Sequence, residues 1–153
     1  MNTPLGDVQA RTFARATHAT VDTYPPERRL TADRLATYLA ERSFAVVGTA
    51  RPDGRPHAAM SLFAVRRTEV WLPTVAGSVR ERNLRAEPWM TLVVAEGDDD
   101  EHIVVILEGP AEVVDRDAVP ADVQSELSRD WVSVWIRLRT QRVLSYAAEG
   151  ART

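Results

Sequence analysis

The chain has 153 residues, a mass of 17.0 kDa and a formal net charge of −3, with nineteen basic residues that are all arginine. A charge this small gives no support to a nucleic-acid partner. The absence of cysteine excludes disulfides, thiolate metal sites and a cysteine nucleophile, and the absence of lysine excludes covalent pyridoxal chemistry.

One domain is expected at this length, burying roughly two-thirds of its unfolded surface. No apolar run approaches a membrane span, and the N-terminus lacks the charged-then-apolar pattern of a signal peptide. Together with the missing cysteines, this gives a cytoplasmic protein as the expectation. The first thirty residues (1–30) read as a partly irregular extension, because they show little apolar periodicity and end in Tyr24-Pro25-Pro26, with room for a short helix around Val8 to Ala16. A main domain over 31–147 and a tail over 148–153 follow.

Thr31 is a good N-cap, and Leu35, Tyr38 and Leu39 then share a helical face up to about Arg42. From Ser43 the pattern becomes strand-like. Phe44 to Ala50 reads as a buried strand, Pro52-Asp53-Gly54 as a turn, and Pro56 to Val65 as one long returning strand. After a turn at Arg66 to Thr68, Glu69 to Pro73 forms a third strand. Ser78 followed by Glu81 has capping-box spacing, so a helix begins at Val79 and stops before Pro88.

Trp89 to Glu96 is apolar enough for a barrel strand, and the acidic run after Gly97 reads as a solvated loop without calcium-ligand spacing. His102 to Asp115 makes a long strand with a bend at Gly109-Pro110, which is how a barrel strand turns a corner. A short helix over Asp117 to Ser128 precedes strands at Trp131 to Arg139 and Arg142 to Ala147. In the former, alternation puts Trp131 and Trp135 on the face opposite Val134, Ile136 and Leu138. The order predicts a mainly β protein with flanking helices, an antiparallel barrel of six to seven strands.

The chemistry narrows by elimination. Gly48, Gly54 and Gly77 are isolated, which excludes a dinucleotide fingerprint or P-loop, and His18, His57 and His102 lack metal-ligand spacing, so no metal site is expected. No nucleophile elbow supports a serine hydrolase, and His57 reads as an ordinary strand residue. What remains is the start of the Val79 helix. Its free N–H groups and dipole attract anions, and Thr74, Ser78, Arg80, Arg82 and Arg85 add hydroxyl donors and guanidinium forks suited to phosphate.

Two segments carry a resemblance. Pro52-Asp53-Gly54-Arg55-Pro56-His57, and Gly77-Ser78-Val79-Arg80-Glu81-Arg82-Asn83-Leu84 followed by Pro88, are similar to the pyridoxamine-phosphate-oxidase-like family of flavin-binding split β-barrels. That family includes deazaflavin-binding relatives in actinobacteria, and the similarity runs from about Leu30 to Tyr146. It implies a homodimer holding FMN, with Thr74, Ser78 and Arg80 toward the phosphate, Ala58, Ala59, Met60, Ser61 and Leu62 along the ring, and Arg82 among the cofactor-binding residues. Many relatives carry lysine at the position of Arg80. Authentic vitamin B6 oxidases end in Arg-Leu-x-Pro, whereas Arg137-Leu138-Arg139-Thr140 lacks the proline, which argues against that activity.

The resemblance implies an FMN-dependent oxidoreductase acting on a small molecule, with no catalytic residue assigned. The alternatives are use of the deazaflavin coenzyme F-420 and a non-catalytic flavin or haem carrier. Trp89, Trp131 and Trp135 offer more aromatic surface than a small barrel absorbs, which independently suggests a dimer.

Overall fold

A computed structural model describes residues 3–151, so the ends of the expected N-terminal extension and C-terminal tail lie outside the described residues. Three helices lead into the sheet: α1 (Pro4–Ala14), α2 (His18–Thr23) and α3 (Ala32–Ala40). Thr3, Thr17 and Thr31 cap them, each accepting from a backbone N–H three residues on.

The N-terminal segment is more ordered and more deeply packed than its sequence suggests. Leu5 and Val8 of α1 join the main core beside Leu30, Leu35 and Leu39. The other inward positions are polar, which hides the periodicity, and they bond to backbone instead. Gln9 donates to the Leu30 carbonyl at 2.8 Å, and Leu30 N donates to Ser145 Oγ at 2.9 Å. Gln9 also accepts from Ser145, and Thr12 Oγ1 accepts from Val143 N at 3.1 Å, so α1 is stitched to the last strand.

Eight strands follow: β1 (Phe44–Ala50), β2 (Pro56–Leu62), β3 (Ala64–Arg66), β4 (Glu69–Thr74), β5 (Trp89–Glu96), β6 (Ile103–Val114), β7 (Val134–Arg139) and β8 (Arg142–Ala147). Helix α4 (Val79–Ala86) joins β4 to β5, and α5 (Ala121–Leu127) joins β6 to β7. All pairings are antiparallel, in the order β2-β1-β5-β6-β7-β4-β3, with β8 also on β6. The long strand expected over Pro56 to Val65 is broken at Phe63. Its first half pairs with β1 and its second with β4, so the two ends of the path are halves of one bent strand and the sheet curls into a split barrel. Phe63 is buried at the bend and its N–H turns to the Ser43 carbonyl at 3.1 Å.

The expected corner at Gly109-Pro110 is present. β8 lies along Ile103 to Glu108 and β7 along Ala111 to Val114, with a one-residue slip in register between them. The bend depends on glycine: a Cβ at Gly109 would stand 2.1 Å from the Arg139 carbonyl oxygen. Gly109→Ala is therefore expected to cost about 1–3 kcal/mol or more in urea unfolding. An unchanged midpoint would show that the strands can part there freely.

Two apolar clusters sit on opposite sides of the curled sheet. The barrel interior holds Val47, Phe63, Leu72, Met90, Leu92, Val105, Leu107, Ile136 and Leu138. Outside it, α5 packs Val123 and Leu127, with Val119, against Leu62, Ala64, Trp71 and Trp135. This corrects one expectation: Trp135 does face away from the barrel interior, but α5 covers it and only 6% is exposed, against 43% for Trp89 and 48% for Trp131.

Candidate functional site

The capped helix start lies where the sequence puts it. Ser78 is the N-cap of α4, and its Oγ accepts from Glu81 N at 3.2 Å. The reciprocal arm differs from a standard capping box, since Glu81 Oε1 accepts from Gly77 N at 2.7 Å, one residue before the cap. Gly77 has a φ of 79°, which glycine adopts without strain and which turns its N–H toward the carboxylate. That N–H, and then Arg85, hold the Glu81 carboxyl below the usual carboxylate range.

The approach loop is fixed from two sides. Thr74 Oγ1 and Ser78 Oγ lie 3.1 Å apart in a hydrogen bond. Ser133, just before β7, accepts from Ala76 N at 2.8 Å through its hydroxyl and donates its own N–H to the Thr74 carbonyl at 3.0 Å. The first two helical residues, Val79 and Arg80, show no acceptor for their backbone N–H among the described residues, leaving two donors at the positive end of the helix.

Arg80 does not lie on the solvent face with Arg82 and Arg85. It is four residues before Leu84, the buried apolar anchor of α4, so it shares the inward face and is only 8% exposed. Its Nη2 donates to the Met60 carbonyl at 3.1 Å, while its Nε is buried without a partner among the described residues. It has no carboxylate partner among the described residues, and burial pulls its pKa down from the ordinary arginine value. Arginine nevertheless remains a cation in proteins, so α4 carries a buried positive charge that no carboxylate among the described residues compensates.

The five residues expected along the ring divide between two faces of β2. Ala59 and Ser61 pair with Val47 and Ala45 and face inward, whereas Ala58 and Met60 pair with Gly48 and Val46 and face outward. Leu62 is buried in the outer cluster under α5. β2 ends the strand path, and the Met60 carbonyl is met by Arg80. The structure thus gathers Thr74, Ser78 and Arg80 at the helix start with the backbone of β2 beside them. Arg82 is set apart: it is exposed and lines a cleft of about 350 Å³ with Arg51, Pro52, Asp53, Val79 and Asn83.

Sequence reasoning missed two supports of this site. Asn83 is almost wholly buried and donates to Thr49 Oγ1 at 3.0 Å, clamping α4 onto β1. An asparagine inside a short helix, three residues after Arg80 and where propensity disfavours it, was a usable signal. Ser133 had none, because its contact spans 57 residues of chain.

The fold is thus a split barrel with a buried arginine in the first turn of a capped helix. The chain belongs to the pyridoxamine 5'-phosphate oxidase family, whose model of that description matches residues 31–153. It is similar to a conserved hypothetical protein from Mycobacterium tuberculosis at 25% identity, over 81% of this chain and 89% of that one, with a TM-score of 0.70. An FAD binding protein from Mycobacterium smegmatis matches at 20% identity over 79% of this chain and 98% of its own, with a TM-score of 0.63. The heme storage protein from Vibrio cholerae matches at 15% identity over 75% and 95%, with a TM-score of 0.62. The last two likenesses establish the fold alone. No curated protein matches the chain.

Proposed function

We propose that this protein is a flavin-dependent oxidoreductase that holds the FMN phosphate at the start of α4. The observation that carries the reading is Arg80, a buried guanidinium with no carboxylate partner among the described residues and an unpartnered Nε. Buried charges are ordinarily paired, so this site suits an anion. Arg80, the Thr74 and Ser78 hydroxyls, and the N–H groups of Val79 and Arg80 would hold the phosphate. The β2 backbone beside Ala59 and Met60 would orient the ring. Bound flavin supplies the hydride or electron chemistry, and the chain's part is binding, orientation and exclusion of water.

The FAD binding protein and the heme storage protein among the structural neighbours motivate the flavin and carrier readings respectively. A specific feature also favours the deazaflavin coenzyme: Arg51 and Arg82 line the cleft beside Val79 with no ion pair among the described residues, offering a place for an acidic tail. The absorbance spectrum of the purified protein decides among flavin, deazaflavin and haem. Flavin that is reduced by NADPH or NADH and reoxidised over many turnovers supports the enzyme. A haem spectrum, or stoichiometric flavin that resists turnover but accepts chemical reduction, favours a carrier.

The protein is further proposed to work in the cytoplasm as a homodimer. Among the described residues no helix is long and apolar enough to cross a membrane. Phe44, Val46 and Met60 are exposed on the outer face of β1 and β2, with Val46 directly opposite Met60 in the ladder. Light scattering should give about twice the chain mass at micromolar concentration, and Met60→Asp should halve it. A monomeric wild type would remove the dimer.

A further inference from the structure

We propose that His57 is a second anion-recognising residue of this site, donating from Nδ1 to the anion held by Arg80 and taking up a proton as that anion binds. The proposal rests on the flavin reading only for the identity of the anion. The strand register and two contacts of α4 bracket His57. Thr49, its cross-strand partner, accepts from Asn83, and Met60, three residues along β2, accepts from Arg80. His57 therefore lies on the inner side of the β1–β2 hairpin, beneath the turn of α4 that carries both side chains. It is half-buried, and its Nδ1 is fully buried without a hydrogen-bond partner among the described residues.

A buried ring nitrogen with no partner is uncommon, whichever tautomer it carries, and an anion beside it supplies the missing acceptor once Nδ1 is protonated. The charged groups acting on it are cationic from both elements packed against it: Arg51 at the end of the β1 arm and Arg80 on α4. Burial, then these two arginines, depress its pKa below the ordinary histidine value, so the ring is neutral near pH 7 before an anion arrives.

The direction of the linkage follows. A phosphate beside Arg80 offsets the cationic field and favours imidazolium, so the bound-state pKa exceeds the free-state one. Between those two values the complex carries more protons than the free protein, and affinity rises as pH falls. Above the bound-state pKa the effect is absent.

The test uses the full chain and two probes. FMN is titrated into wild type and His57→Gln at about pH 6 and about pH 8. The phosphate of FMN also titrates, but it does so for both proteins, so the comparison of the two pH ratios isolates the histidine. Wild type should gain about threefold to tenfold more affinity on acidification than His57→Gln does. Sulfate, whose charge is constant across this range, is added separately while the ring resonance of His57 is followed by NMR. Its titration midpoint should move upward. FMN binding with equal pH ratios in the two proteins and an unmoved midpoint would overturn the role of His57 and leave the flavin reading standing. An upward shift with sulfate in a protein that binds no flavin would do the reverse. Melting curves of His57→Gln confirm that the variant is folded, and the sulfate result on wild type needs no variant.

Discussion

Arg80→Met should weaken FMN binding about tenfold to hundredfold while leaving the unliganded protein as stable as wild type, or more so. Methionine keeps a buried apolar stem on the inward face of α4 and removes the guanidinium, which has no carboxylate partner among the described residues. The unliganded fold loses the hydrogen bond to Met60, worth about 1 kcal/mol, and is relieved of the desolvation of a charge, which costs several kcal/mol. In the complex the balance reverses, because a charge-assisted hydrogen bond to phosphate contributes about 1.5–3 kcal/mol. Fluorescence titration and thermal melting read the two effects separately. Ser78→Ala is the contrast: it removes a cap worth about 1 kcal/mol as well as a hydroxyl, so stability and affinity should fall together. If Arg80→Met loses stability and keeps its affinity for FMN, the arginine is a strut between α4 and β2 rather than a phosphate ligand.

Features written in local chemistry were legible in the sequence. The Ser78 cap, the Thr31 cap, the Pro52-Asp53-Gly54 turn and the Gly109 corner all follow from residues within a few positions of one another, and each stands where expected. The break at Phe63 was not legible, because an apolar residue between two apolar strands continues the pattern, and only the change of partner from β1 to β4 creates the bend. Nor was the packing of α1, whose inward face carries Gln9 and Thr12 where the pattern looks for leucine. Their partners are supplied by β8, more than 130 residues away. The layout of the candidate site was legible only in part. The loop and cap that bring Thr74 and Ser78 together follow from local residues, but the burial of Arg80 and the exposure of Arg82 were not anticipated. The spacing of Arg80 and Leu84 holds the information that separates Arg80 from Arg82 and Arg85, since residues four apart share a helix face.

Trp135 carries the other large expectation. Alternation along β7 correctly set it opposite Ile136 and Leu138, but which surface covers that face depends on α5, which returns over it with Val123 and Leu127. Trp135→Ala should therefore destabilise the single chain by about 3–5 kcal/mol, the loss typical of a buried tryptophan, read as a lower urea midpoint with little change in slope. Trp131, half exposed in the segment before β7, should cost less than about 0.5 kcal/mol on the same substitution. In a dimer the two variants separate further. A tryptophan at the contact makes unfolding more concentration-dependent in wild type than in its variant, whereas one buried under α5 shifts the midpoint equally at every protein concentration. Trp135→Ala with a wild-type midpoint when dilute and a lowered one only when concentrated would return Trp135 to the surface between copies and show that α5 does not hold it.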